Sequence, residues 1–122
     1  AKNAALANVV FDALVPSAGD GTPATWQATL LADSPVKRPR AEMMSRRNAS
    51  KDGRKMFLNT FLPVLAMVNG VETVVSIIPI RTEATVGDNV TDLQLANAWA
   101  YHSTIATSPM GMSLFTSRYA QT

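Results

Sequence analysis

The hydrophobic period of the chain changes once, at Gly87. Before it, apolar and β-branched residues come in short runs broken by turn residues. "VETVVSIIPIRTEA" (71–84) is the most β-branched stretch and predicts a long strand. After it, "NVTDLQLANAWAYHSTIAT" (89–107) spaces Leu95, Trp99, His102 and Ile105–Ala106 about one helical turn apart. Strands first and helices last define an α+β chain, with helices gathered on one face of an antiparallel sheet. The other face must then meet solvent or a partner.

Local signals place the elements. "LANVVF" (6–11) and "ATWQATLLA" (24–32) read as strands, separated by the Pro/Gly/Asp loop "PSAGDGTP" (16–23). "DSPVKRP" (33–39) is a second loop, because two prolines forbid a central strand. A strand from about Arg40 to Asn48, a turn at Lys51–Gly53 and a strand from Arg54 to about Leu65 follow. "VNG" (68–70) is a further turn, and Pro79 predicts a bulge or a break in the ladder of the next strand. The expected count is five or six strands. Thr91-x-x-Gln94 is a capping box with Asp92 in the first turn, so a helix begins there. Ser108-Pro109 opens a second, short helix, whose apolar side is Met112, Phe115 and Tyr119.

The 122 residues suit one domain. A domain of this size buries only about two-thirds of its unfolded surface, so association would help stabilise it. Only 16% of residues are charged, a low density for a small monomer. Without cysteine there is neither a disulfide nor a thiolate metal site. No apolar run is long enough to span a bilayer, and "AKNAALANVV" lacks the apolar core and cleavage pattern of a signal peptide. The expected origin is cytoplasmic, and the sequons at Asn48 and Asn89 read as chance.

Few residues suggest catalysis. His102, the one histidine, sits on the helical stripe and reads as a packing residue. Asp88 and Asp92 fall at a helix start, where they suit its dipole. The "GDG" glycines lack the Lys-Ser/Thr and the strand–helix context of a phosphate loop. No cluster of His, Cys or carboxylates suggests a metal or cofactor, and the six methionines read as core and interface filler. The chain reads as a non-enzyme.

The charge is concentrated instead. Eight of the eleven basic residues lie between Lys37 and Lys55 with only Glu42 and Asp52 among them, so this segment carries +6 and the rest −4. Such a footprint favours a polyanion, nucleic acid first; the competing reading is a solvated charged hairpin. Within it, "MSRRNASKDGRKMF" (44–57) brackets Asp52-Gly53, a hairpin-turn signal. Alternation puts Met43, Ser45 and Arg47 on one face before the turn, and Lys55, Phe57, Asn59 and Phe61 on one face after it. Combined, they make a surface of cations, amide and aromatic ring suited to phosphates and bases; Phe57 could stack on a base, although an isolated strand Phe is more often core. Arg46, Lys51 and Arg54 would serve the same polyanion less specifically.

The chain resembles the coat proteins of single-stranded RNA bacteriophages of the levivirus type. "MSRRNASKDGRKMFLNTFLPVL" (44–65) is similar, without a gap, to the family's Ser-x-Arg, turn, Arg-Lys, strand, Pro pattern. "IIPI" (77–80) ends the last long strand, just before a short linker and a helix. The tail is a long helix, a Ser-Pro break and a short helix. The resemblance covers the C-terminal two-thirds; the first third matches in layout, with Trp26 as the anchor the resemblance suggests. Length and a chain starting at Ala, as after loss of an initiator Met, agree with it.

The resemblance implies one coat-protein domain over 1–122: an N-terminal hairpin region (1–35), an RNA-facing sheet (36–84) and C-terminal helices (89–120). It implies an intertwined homodimer in which each subunit's helices cover the other's sheet. Dimers would assemble in the host bacterial cytoplasm into an icosahedral shell, the virion coat. The inner sheet face would bind and package genomic RNA, and an RNA hairpin bound there would repress replicase translation. Carried over by position, the RNA-binding set is Met43, Ser45, Arg47, Lys55, Phe57, Asn59 and Thr73, with Arg46, Lys51 and Arg54 as general phosphate contacts. Met43, Phe57 and Val71 depart from the family's residue types, which implies either no specific hairpin recognition or a different RNA hairpin. Between Pro63 and Pro79 the chain is about a dozen residues shorter than well-known members, so the loop that contacts symmetry axes is replaced by a tight turn at 66–72. The alternative is a small dimeric cytoplasmic RNA- or DNA-binding regulator that forms no shell.

Overall fold

The computed structural model describes residues 8–32 and 34–118. Five strands form one sheet in chain order: β1 (Asp12–Val15), β2 (Ala24–Gln27), β3 (Arg40–Arg47), β4 (Gly53–Val68) and β5 (Val71–Gly87). Two helices follow, α1 (Asp92–Thr107) and α2 (Pro109–Ser117). The chain divides into two compact units, one running to Thr85 and the other starting at Val86.

Each strand pairs with its neighbour in sequence, so every connection is local. β1 meets β2 with an irregularity between Ala13 and Val15. β2 pairs antiparallel with β3 from Ala24↔Met43 to Gln27↔Arg40. β3 pairs antiparallel with β4 from Arg40↔Phe61 to Arg47↔Arg54. Pro63 therefore lies just past the β3 ladder, where its missing N–H interrupts no bond to that strand.

The β4–β5 connection is a two-residue turn. Asn69 (φ 50°) and Gly70 (φ 79°) both occupy the left-handed region, as the tightest hairpin turn requires. β5 runs unbroken through Pro79, and no break in the strand occurs there. It lies at the edge of the sheet, where a missing donor is tolerated.

The first third departs from its predicted bounds. The strand expected over 6–11 starts at Asp12; residues 6 and 7 lie outside the described residues. The strand expected over 24–32 ends at Gln27, and a turn follows in which Leu31 N–H donates to Ala28 O at 3.2 Å. The 33–39 loop holds a single 3-10 turn, Pro35–Lys37.

The helical unit obeys its caps. Gln94 N–H donates to Thr91 Oγ1 at 3.2 Å, and Thr91 N–H donates to Gln94 Oε1 at 3.0 Å. Ser108 ends α1 and caps α2, accepting from Gly111 N–H at 3.3 Å. The corner is tight: a Cβ at Gly111 would lie 2.5 Å from the carbonyl oxygens of Ile105 and Ala106. The Trp99 and His102 rings meet in a tilted arrangement with centroids at 6.0 Å, placing His102 on the predicted stripe. Tyr119, the last residue of the predicted α2 stripe, lies outside the described residues.

Among the described residues only two hydrophobic side chains are buried, Ala28 and Phe57. Val71, Val75, Ile77, Ile78 and Ile80 on β5 are exposed, as are Leu93, Trp99, Ile105, Met110 and Phe115 on the helices. Chain-local hydrogen bonds form the elements, and the described residues of a single copy supply little core.

Candidate nucleic-acid interface

The connection from β3 to β4 decides which basic residues share a face. A three-residue turn at Lys51–Gly53 would pair odd positions with odd. The hairpin instead closes with Asn48 N–H donating to Gly53 O at 3.1 Å, leaving a four-residue loop, 49–52. Lys51 (φ 59°) takes the left-handed conformation, and Gly53 begins β4. Asp52 is an acceptor at the tip: Asn48 Nδ2 donates to it at 2.8 Å and Ser50 Oγ at 2.6 Å. These bonds, Ser50's foremost, hold its carboxyl below the ordinary 3.8. One residue of loop length moves every side chain of a strand to the other face relative to its partner.

The predicted site is thereby split. Ser45 pairs with Met56 and Arg47 with Arg54, while Met43 pairs with Leu58. Arg46 pairs with Lys55 and Met44 with Phe57, while Glu42 pairs with Asn59. Directly paired residues share a face. Met43, Ser45, Arg47 and Arg54 therefore lie on one side, and Arg46, Lys55, Phe57 and Asn59 on the other. The expected single surface combining Ser45 and Arg47 with Lys55, Phe57 and Asn59 does not form. Lys51 is exposed on the loop between them, and Thr73 is exposed on β5, with its hydroxyl donating to Val71 O at 3.2 Å.

On the Arg47 side the contacts tie a loop to the hairpin. Arg54 Nη1 donates to Asp20 Oδ1 at 2.9 Å and to Ser45 Oγ at 3.0 Å. The Arg47 backbone N–H donates to Asp20 Oδ2 at 3.2 Å, and Gly21 N–H donates to Ser45 O at 3.0 Å. The 16–23 loop is so fastened to the hairpin. The Arg54 hydrogen bond, with that from Arg47, keeps the Asp20 carboxyl below its ordinary range.

On the Lys55 side the arrangement differs. Phe57 is 5% exposed. The Arg46 guanidinium carbon lies 5.6 Å from its ring centroid and that of Arg81 4.5 Å. Of the two roles open to this ring, base stacking and core packing, its burial fits core packing, with guanidinium groups over it. Lys55 Nζ and Arg81 Nη2 each lie 3.9 Å from a carboxylate oxygen of Glu83. Asn59 Oδ1 is buried without a hydrogen-bond partner. Arg40 covers Phe61 at 4.3 Å. Arg81 was outside the predicted site because it stands alone in sequence, 26 positions beyond the basic segment. Only strand pairing brings it to Phe57.

Among the described residues no group of three or more His, Cys, Asp or Glu side chains could hold a metal ion. No helix among the described residues is long and apolar enough to cross a membrane.

The fold is that of levivirus-type phage coat proteins, as the sequence resemblance implied. The particular likenesses are to assembled particles. The virus-like particle of bacteriophage NT-214 superposes with a TM-score of 0.81 at 19% identity, covering 100% of this chain and 93% of that one. The virus-like particle of Beihai levi-like virus 21 gives 0.77 at 13% identity, covering 92% and 88%. The bacteriophage GA protein capsid gives 0.71 at 17% identity, covering 94% and 88%. No family model and no curated protein sequence matches the chain.

Proposed function

We propose that the chain is the coat protein of a single-stranded RNA phage, with an intertwined homodimer as its building block. Each subunit lays its helices over the partner's sheet. Dimers close into an icosahedral shell in the host bacterial cytoplasm, and the basic side of the sheet faces packaged viral RNA. Binding of one RNA hairpin across the dimer would repress replicase translation.

One observation carries the reading. A chain with the fold of capsid subunits leaves its sheet edge and both helices apolar and exposed, burying only Ala28 and Phe57 among its described hydrophobic residues. Exposed apolar surface on this scale marks an interaction surface. A second copy supplies matching apolar elements, helix for sheet. The basic segment supports RNA as the cargo, since phosphate binding depends on charge more than on side-chain identity.

Size-exclusion chromatography of the expressed protein, with absorbance at 260 and 280 nm and negative-stain microscopy of the peaks, tests the proposal. Uniform particles containing nuclease-protected RNA are expected. A dimer that forms no particles under any salt or RNA condition would favour the regulator reading instead.

A further inference from the structure

We propose that RNA phosphates are held on the sheet face of Arg40, Arg46, Lys55 and Arg81, with Arg46 and Arg81 acting as a clamp seated on Phe57, and not on the face of Ser45 and Arg47. This rests on the RNA-binding reading above and assigns it to one side of the sheet.

The two faces differ in what their cations already do. Arg54 is engaged by Asp20 and Ser45, and the Arg47 backbone serves the same carboxylate. The residues paired with Met43 and Ser45 are Leu58 and Met56, so apolar side chains flank the cations there. That side suits packing against protein. On the other face Arg46 comes from β3 and Arg81 from β5, and Phe57 on β4 stands between them. Both arginines are exposed while the ring is buried. A guanidinium lying over a ring uses its flat face and keeps its N–H edge for an acceptor. The buried ring thus holds two donor forks in place without occupying their donors, a geometry suited to phosphodiester oxygens.

Glu83 fits the same site as an internal counter-ion. It lies 3.9 Å from both Lys55 and Arg81, near enough for attraction and too far for a hydrogen bond. A phosphate arriving at this cluster competes with a loosely held carboxylate.

The test is fluorescence anisotropy of a labelled oligouridylate with the purified protein, titrated over a range of salt. Thermal melts of each variant check folding. Replacing both Arg46 and Arg81 by Ala should weaken binding at least about tenfold and flatten the log–log salt slope by about 1.4, the value for two phosphate contacts on a single strand. Arg47→Ala should change affinity less than about twofold. Glu83→Gln should tighten binding, and it decides the matter if the double variant does not fold. Loss of binding in Arg47→Ala with the Arg46/Arg81 variant unaffected would overturn the assignment while leaving RNA binding intact. Unchanged or weaker binding by Glu83→Gln would also overturn it. A wild-type protein that binds no oligouridylate would overturn the RNA reading itself.

Discussion

Arg54 Nη1 lies 2.9 Å from Asp20 Oδ1, so one exposed ion pair joins the β3–β4 hairpin to a loop 34 residues earlier. The second Asp20 oxygen accepts from the Arg47 backbone. Removing the charge should release the loop. Asp20→Asn is expected to speed amide hydrogen exchange at Gly21 and Arg47 and to increase proteolytic cleavage within 16–23. The sheet should keep its fold, since an exposed pair contributes little to global stability. Protection unchanged at both amides would show that the backbone alone holds the loop.

Acid should do the same. The Asp20 carboxyl is depressed in the folded chain, first by the Arg54 hydrogen bond. A depressed carboxyl stabilises the fold above its unfolded value, and that contribution disappears as pH falls through the lower folded value. The Gly21 and Arg47 amide resonances should therefore titrate with a midpoint below 3.8. In Asp20→Asn that transition should vanish. A midpoint at or above 3.8 would contradict the latch.

Gly111→Ala should disrupt the α1–α2 corner. Its Cβ would meet two backbone carbonyls at 2.5 Å, and neither is a flexible side-chain end that can swing aside. A cost of about 1–3 kcal/mol is expected for such overpacking. A fall in melting temperature with reduced particle yield would register it. A variant as stable as wild type would show that the corner relaxes freely.

Thr91→Ala should cost about 1 kcal/mol, because it removes the side-chain acceptor for Gln94 N–H. Thr91→Ser retains the oxygen and should recover most of the loss. Equal melting temperatures for Ala and Ser variants would mean that the cap is dispensable.

Signals confined to a few neighbouring residues were the most legible part of the sequence. The Thr91–Gln94 box and the Ser108-Pro109 break describe local backbone geometry, and both helices start where these residues specify. The Asn69-Gly70 turn was readable for the same reason. The hairpin face was not. Asp52-Gly53 resembles a turn, yet Asn48 and Ser50 draw the Asp52 side chain into the loop and move the closure to Gly53. That single residue reassigns Ser45 and Arg47 relative to Lys55. The role of Arg81 was equally hidden, because it depends on β5 lying beside β4. Phe57 illustrates a third limit: alternation gives its face, while its burial depends on the arginines contributed by both neighbouring strands.

A single chain exposes Trp99, Phe115 and the β5 isoleucines, surface that pairing with a second copy would cover. Native mass spectrometry of the dissociated, still-folded protein tests it most directly. A species of twice 13.1 kDa is expected, with no folded monomer beneath it at any concentration. A compact monomer of 13.1 kDa that melts cooperatively would contradict it.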